Sequence, residues 1–155
     1  MLYRLYQPGD FASVYAIEET CFQPPLRFPR AYMRSLVESS GAATWIADDD
    51  GRMAGFAIVE WSTTSGEALA YIQTLEVAQD ARRQGIGAEL LRKLEASAQS
   101  AAAQFIWLHV DAGNASAIRL YESHGYQCKG REEDYYARNR HALIYAKPLS
   151  ATTDV

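Results

Sequence analysis

The run Arg82-Arg83-Gln84-Gly85-Ile86-Gly87 has the residue types of an anion cradle. It lies between a strand-like stretch, Ala70 to Val77, and an amphipathic helix that begins near Gly85. Two glycines in a turn leave the backbone free of Cβ atoms, and the following helix offers unpaired N–H groups and the positive end of its dipole. That combination suits a phosphate. A P-loop needs Lys-Ser or Lys-Thr directly after its last glycine, where this chain has Ala88-Glu89. A dinucleotide fingerprint needs a third small residue where Leu90 stands in the apolar stripe of the helix. Neither of these common phosphate loops fits.

The pattern Arg82-x-x-Gly85-x-Gly87 resembles the coenzyme A pyrophosphate loop of the GNAT acyltransferase superfamily. A second stretch, Asn114-x-x-Ala117-x-x-x-Tyr121-x-x-x-Gly125-Tyr126, resembles the same family's Asn-x-x-Ala-x-x-x-Tyr-x-x-x-Gly-Phe/Tyr signature. The resemblance implies an acetyltransferase that takes its acetyl group from acetyl-CoA. It implies that Arg82, Arg83, Gln84, Gly85, Ile86, Gly87 and Ala88 hold the pyrophosphate, and that the main chain of Leu75, Glu76 and Val77 pairs with the pantetheine arm. One of those N–H groups would polarise the thioester carbonyl. Tyr121 would protonate the departing thiolate. Asn114 would contact the pantetheine or a phosphate, a role open beside that of an ordinary helix N-cap.

Three residues compete for the general base: His109, Glu76 and Tyr71. A neutral imidazole, with an ordinary pKa of about 6.5, accepts an ammonium proton near neutral pH. Bacterial ribosomal-protein alanine N-acetyltransferases carry Leu-Glu-Val where this chain has Leu108-His109-Val110. Here the local match is instead to the Tyr/His pair of the eukaryotic N-terminal acetyltransferase E catalytic subunit, through Tyr71-Ile72-Gln73-Thr74-Leu75 and Leu108-His109-Val110. Glu76 stays in contention because other family members use a glutamate from this strand. Parity puts Tyr71 and Glu76 on opposite faces of a regular strand, and a bulge between them reverses the relation. No cysteine is placed as an acyl carrier, so the expected route is direct attack in a ternary complex.

Asp134-Tyr135-Tyr136 lies between the last two expected strands, where the resemblance implies a Tyr-Tyr that closes over a peptide. Phe28 and Pro29 would form the opposite wall. The expected acceptor is the α-amine of a protein or peptide. A small amine, such as a polyamine, an amino acid or an aminoglycoside, is the alternative, and a non-catalytic acyl-CoA-binding module is a third reading.

The elements that must position these groups follow from pattern. Residues 2 to 7 read as a strand, and Pro8-Gly9-Asp10 as a turn whose Asp10 caps a helix from about Phe11 to Glu19. After a proline-bearing loop comes a helix from about Arg30 to Glu38. Thr44 to Ala47 and Met53 to Trp61 form a hairpin through Asp50-Gly51, and Ala68 to Val77 is the next strand. Leu90, Leu91, Leu94 and Ala98 recur at helical spacing. Phe105 to Val110 is a buried strand, the Asn114 helix ends at Gly125, and Tyr126 to Arg131 pairs with Ala142 to Lys147. The implied fold is α+β in three layers: a mixed, mostly antiparallel sheet of about seven strands with four helices and splayed central strands.

The 155 residues, 48% hydrophobic and 22% charged, suit one domain over 1–149 with 150–155 as a loose tail. A formal net charge of −4 argues against nucleic acid and mildly favours a cationic second substrate. Cys21 and Cys128 have neither metal-site nor disulfide spacing and read as buried or half-buried apolar residues. No metal, no export signal and no membrane span is expected, so the chain reads as cytoplasmic, a monomer or homodimer.

Overall fold

The computed structural model describes residues 1–64 and 66–149, so the expected tail at 150–155 lies outside the described residues. The chain runs β1 (Leu2–Leu5), α1 (Phe11–Cys21), α2 (Arg30–Val37), β2 (Ala42–Asp49), β3 (Arg52–Thr64), β4 (Glu67–Val77) and α3 (Ile86–Ser100). It continues through β5 (Phe105–Asp111), α4 (Ala115–Ser123), β6 (Gln127–Ala137) and β7 (Arg140–Pro148), with short 3-10 turns at Pro8–Asp10 and Gln79–Ala81. The strands form one sheet in the order β1-β2-β3-β4-β5-β7-β6. Neighbours are antiparallel except β4 and β5, which are parallel. This is the mixed seven-stranded sheet with four helices expected from the sequence.

Helices cover both faces, so the central strand β3 is apolar on both sides. Phe56 and Ile58 pack with Phe11, Val14 and Ile17 of α1 and Met33 and Leu36 of α2. Ala57 and Val59 turn the other way, onto Leu90, Leu91, Leu94 and Ala98 of α3. A strand buried on both faces reads as a continuous apolar run, as Gly55 to Val59 does. The hairpin turn is as expected, with Asp50 at φ 53° and Gly51 at φ 92°, the pair of positive φ values that a type I′ turn requires.

The register of β3 against β4 carries the feature that matters most for the site. Ile58 faces Thr74 and Val59 faces Ile72, so Gln73 is an extra residue in β4. That bulge flips the side-chain alternation. Ala70 and Ile72 before it, and Leu75 and Val77 after it, all face α3. Tyr71 pairs with Glu60 and Glu76 with Phe56, so both face the α1/α2 layer.

Three sequence expectations need correction. Asp10 does not cap α1 through its side chain. Its carboxylate takes both terminal guanidinium nitrogens of Arg4, at 2.8 and 2.9 Å, and the Gln7 N–H at 2.8 Å. A forked, charge-assisted pair outcompetes a single cap bond. Asp134-Tyr135-Tyr136 lies within β6, because that strand extends to Ala137. Glu132 faces Ala142 and Ala137 faces Arg140, so five steps of β6 oppose two of β7 and residues 133 to 136 bulge out. Finally, Cys128 is exposed on edge strand β6, whereas Cys21 is half-buried.

Candidate active site

The Gly-rich run sits at the start of α3. Arg83 at φ 66° and Gly85 at φ 77° are left-handed residues one apart, a curl that turns successive N–H groups inward. The first intrahelical bond of α3 is Glu89 N–H to the Gly85 carbonyl, 3.2 Å, and no side chain caps the helix. The N–H groups of Ile86, Gly87 and Ala88 are therefore left for a ligand. A Cβ built on Gly85 meets nothing within 4 Å, so the concavity is open. These features fit a diphosphate. Arg82 plays a different part from Arg83: its Nε donates to the Val77 carbonyl at 3.2 Å and its guanidinium reaches the Cys21 Sγ, tying the loop to the end of β4.

The sheet opens beside this loop. β4 and β5 pair only at Leu69–Phe105, Ala70–Ile106 and Tyr71–Trp107, and beyond Tyr71 they part. A cavity of about 100 Å3 lies between them, lined by Thr74, Leu75, Leu108, Asn114, Tyr121 and others. Ala78 N–H donates to Ala54 O at 2.8 Å. By antiparallel alternation, Glu76 then bonds to β3, while Leu75 and Val77 turn their main-chain groups toward the opening. An extended amide chain can occupy it as an extra strand.

Tyr121, on α4, is 6% exposed and lines this opening. Its hydroxyl makes no hydrogen bond to another described residue. Burial pushes its pKa above the ordinary tyrosine value, so it holds its proton for donation at neutral pH. Asn114 serves as the N-cap of α4, accepting from the Ala117 N–H at 3.2 Å, and also lines the opening. The N-cap reading of Asn114 is met.

A second cleft, of about 680 Å3, lies on the α1/α2 side. Tyr71, Trp107, His109, Tyr135, Tyr136, Phe28 and Tyr32 line it, with Glu60 and Gln73 as polar members. Tyr71 Oη is 2.7 Å from His109 Nδ1, and Glu132 Oε1 is 3.1 Å from Nε2. The bulge in β6 brings Tyr135 over the imidazole, stacked at 4.2 Å and 10°. Phe28, Gln73, His109 and Tyr136 line both cavities, so the two meet at His109. Pro29 stands outside both and begins α2 as its N-cap.

Glu76 is 3% exposed. Thr74 Oγ1 donates to its Oε2 at 2.6 Å, and it abuts the equally buried Glu18 of α1. Burial, then the neighbouring carboxylate, raises its pKa well above the ordinary value of 4.5. The remaining oxygen of each carboxyl, Oε1, has no other partner, and a proton shared between the two satisfies both. The folded state thus keeps a proton that the unfolded chain releases above about pH 4.5. The contribution of this pair to stability is full below that pH and declines as pH rises toward the folded pKa. Glu76→Gln supplies a permanent donor to Glu18, so its melting temperature should fall less than wild type's between pH 5.5 and 8.5. Equal declines in calorimetry would refute the shared proton.

Sequence reasoning missed Glu132, Glu18, Tyr32, Trp107, Glu60 and Gln73. Trp107 was within reach, since residues i and i+2 of a strand share a face. Glu132 was hidden in the run Arg131-Glu132-Glu133, which reads as a solvated edge.

An anion-binding helix start beside a split parallel pair, opening into an aromatic cleft, defines an acyl-CoA-dependent acyltransferase. The family model described as "Acetyltransferase (GNAT) family" matches residues 11–126, and the chain belongs to that family. It is an acetyl-CoA-dependent N-acetyltransferase. The [ribosomal protein bS18]-alanine N-acetyltransferase of Escherichia coli K12 is 36% identical over 104 residues, 65% of this chain and 68% of that protein. The E. coli S18-alanine enzyme's crystal structure matches with TM-score 0.83 and 26% identity, covering 99% of this chain and 96% of that one. Arabidopsis thaliana NAA60 in complex with acetyl-CoA matches in fold, with TM-score 0.84, 20% identity and coverage of 96% and 98%. Streptothricin acetyltransferase of Streptomyces lavendulae is 33% identical over 116 residues, 72% of this chain and 60% of that protein. No helix among the described residues is long and apolar enough to cross a membrane.

Proposed function

We propose that this enzyme acetylates the α-amine of a protein or peptide by direct attack within a ternary complex. The observation that carries the reading is the aromatic cleft whose floor is the Tyr71–His109 hydrogen bond and which meets the opening between β4 and β5 at His109. A peptide backbone suits such a slot, with aromatic walls for the first side chains and polar groups to fix direction. Glu60 gives the cleft an anionic member suited to an ammonium group.

In this reading the loop from Arg82 to Ala88 holds the donor's diphosphate, and the main chain of Leu75 and Val77 aligns its amide arm. A main-chain N–H there faces the thioester oxygen, where charge develops. His109, with Tyr71, removes a proton from the acceptor ammonium. The amine attacks, the C–N bond forms, the C–S bond breaks, Tyr121 gives its proton to the sulfur, and the second proton leaving the new amide nitrogen returns Tyr121 to its neutral form. Glu76 fits the base role less well, because its carboxyl is buried against Glu18 and lines neither cavity.

The similarity to streptothricin acetyltransferase favours a second reading, with a small amine as acceptor. Free-thiol release from acetyl-CoA across peptides beginning Ala, Ser or Met and a panel of polyamines, amino acids and aminoglycosides separates the two. Peptides should give the higher kcat/KM by about 10-fold or more. Turnover of free amines with indifference to the peptides' first residue would transfer the assignment to the small-amine reading.

A further inference from the structure

Glu132 has no part in the base system described above, yet it contacts His109 Nε2 at 3.1 Å, opposite the 2.7 Å contact from Tyr71 Oη to Nδ1. Both imidazole nitrogens are engaged. Tyr135 covers one ring face, and the His109 side chain is 9% exposed. An ammonium in the cleft meets both ring nitrogens already partnered, whereas Tyr71 lines the same cleft and contacts the ring directly.

An ionised carboxylate only accepts hydrogen bonds, so the Nε2 facing Glu132 must carry a proton. Nδ1 then keeps its lone pair and accepts from the Tyr71 hydroxyl. We infer that Glu132 is a positioning residue that holds His109 in the Nε2–H tautomer, so that the acceptor's proton reaches Nδ1 through the Tyr71 hydroxyl. The inference rests on the reading of His109 and Tyr71 as the base.

The proton balance closes without another reactant. An N–H bond of the ammonium breaks as Tyr71 Oη takes that proton, and the original Tyr71 O–H proton passes to Nδ1. The tyrosine ends neutral, and the imidazolium sits beside the Glu132 carboxylate. Burial holds the Tyr71 pKa above its ordinary value, which suits a hydroxyl that gives up a proton only while receiving one. The division of roles parallels that of a Ser-His-Asp triad, with an acid residue setting the tautomer.

Other groups around His109 do not supply that carboxylate. β4 contributes Tyr71, and β6 contributes Tyr135 beside Glu132. β7 places Ile144 opposite. Tyr136 of β6 and Tyr32 of α2 line the same cleft. Asp111, farther along β5, is occupied by Arg140 at 2.7 Å and the Gly113 N–H at 2.9 Å. Glu18, across the narrower cavity, accepts from the Phe28 N–H at 2.9 Å.

The test is kcat/KM against pH for wild type, Glu132→Gln, His109→Gln and the double variant, using the fastest acceptor of the panel at saturating acetyl-CoA. Glu132→Gln removes the charge and lets an NH2 donor face Nε2 as readily as the oxygen, so it should lower kcat/KM about tenfold at neutral pH. The acid limb of its profile should move to lower pH, with acetyl-CoA affinity unchanged. In the His109→Gln background the same change should cost nothing further, because Glu132 acts through the ring. A wild-type profile for Glu132→Gln beside a crippled His109→Gln overturns this inference and leaves the base reading standing. Full activity of His109→Gln removes the base reading itself. A cost for Glu132→Gln that persists in the double variant also overturns the inference, since the residue then acts elsewhere.

Discussion

Turnover of His109→Gln is expected to fall about 10²- to 10⁴-fold, the usual contribution of a positioned acid–base group. Its dissociation constant for acetyl-CoA should change less than about twofold, because the base acts on the amine and not on the donor. Glutamine is the informative replacement. It can still hydrogen-bond to Tyr71 and Glu132 and fill the space beneath Tyr135, which limits the structural damage, but its amide has no useful basicity. Thiol release under steady state and donor binding by calorimetry separate the two quantities. Near wild-type turnover would pass the role to Glu76, and a mechanism for drawing its proton away from Glu18 would then be required.

The second large effect concerns Gly85. Replacing it with Val should weaken acetyl-CoA binding by at least about tenfold, from backbone strain of roughly 1–2 kcal/mol in the left-handed region together with crowding of the ligand. The structure separates these causes. Among the described residues, apart from the glycine and its two chain neighbours, nothing lies within 4 Å of a Cβ at this position, so clash inside the apo enzyme is not the problem. Asn tolerates a positive φ far better than Val. Gly85→Asn should therefore keep the loop's shape while still placing atoms where the diphosphate goes. If Asn restores affinity, strain is the cause; if Asn and Val weaken binding alike, the space itself is needed. Undiminished affinity in both variants would contradict the cradle. Titration of acetyl-CoA with each purified variant reads the difference directly.

The local elements were largely legible because periodicity and turn chemistry act over a few residues. The α3 stripe, the Asp50-Gly51 turn and strand β5 all appear where the pattern puts them, although β5 buries only Ile106, Leu108 and Val110 and leaves Phe105 exposed. The donor loop was legible for the same reason, being a contiguous run at a helix start. The base region was not, because it depends on two irregularities with no local signal. One extra residue at Gln73 places Tyr71 and Glu76 on one face, and the loss of register between Glu132 and Ala137 carries Tyr135 over His109. Either could be recognised only after knowing which residues of the partner strand stand opposite. The pairing of Glu18 with Glu76 was equally hidden, since it joins residues from a helix and a strand that meet only through packing. Asp10 shows the converse error, where a plausible local cap yielded to a guanidinium brought in by tertiary structure.

Only three residue pairs hold β4 to β5, whereas every other neighbouring pair of strands shares at least four. The last of the three is Tyr71–Trp107, so Tyr71 and His109, hydrogen-bonded to each other, stand on opposite banks of this seam. A thioester lying in the opening would stitch the banks together and set their separation before any amine arrives. The donor would in that sense be part of the architecture that receives the acceptor, a physical reason for two substrates to load in sequence.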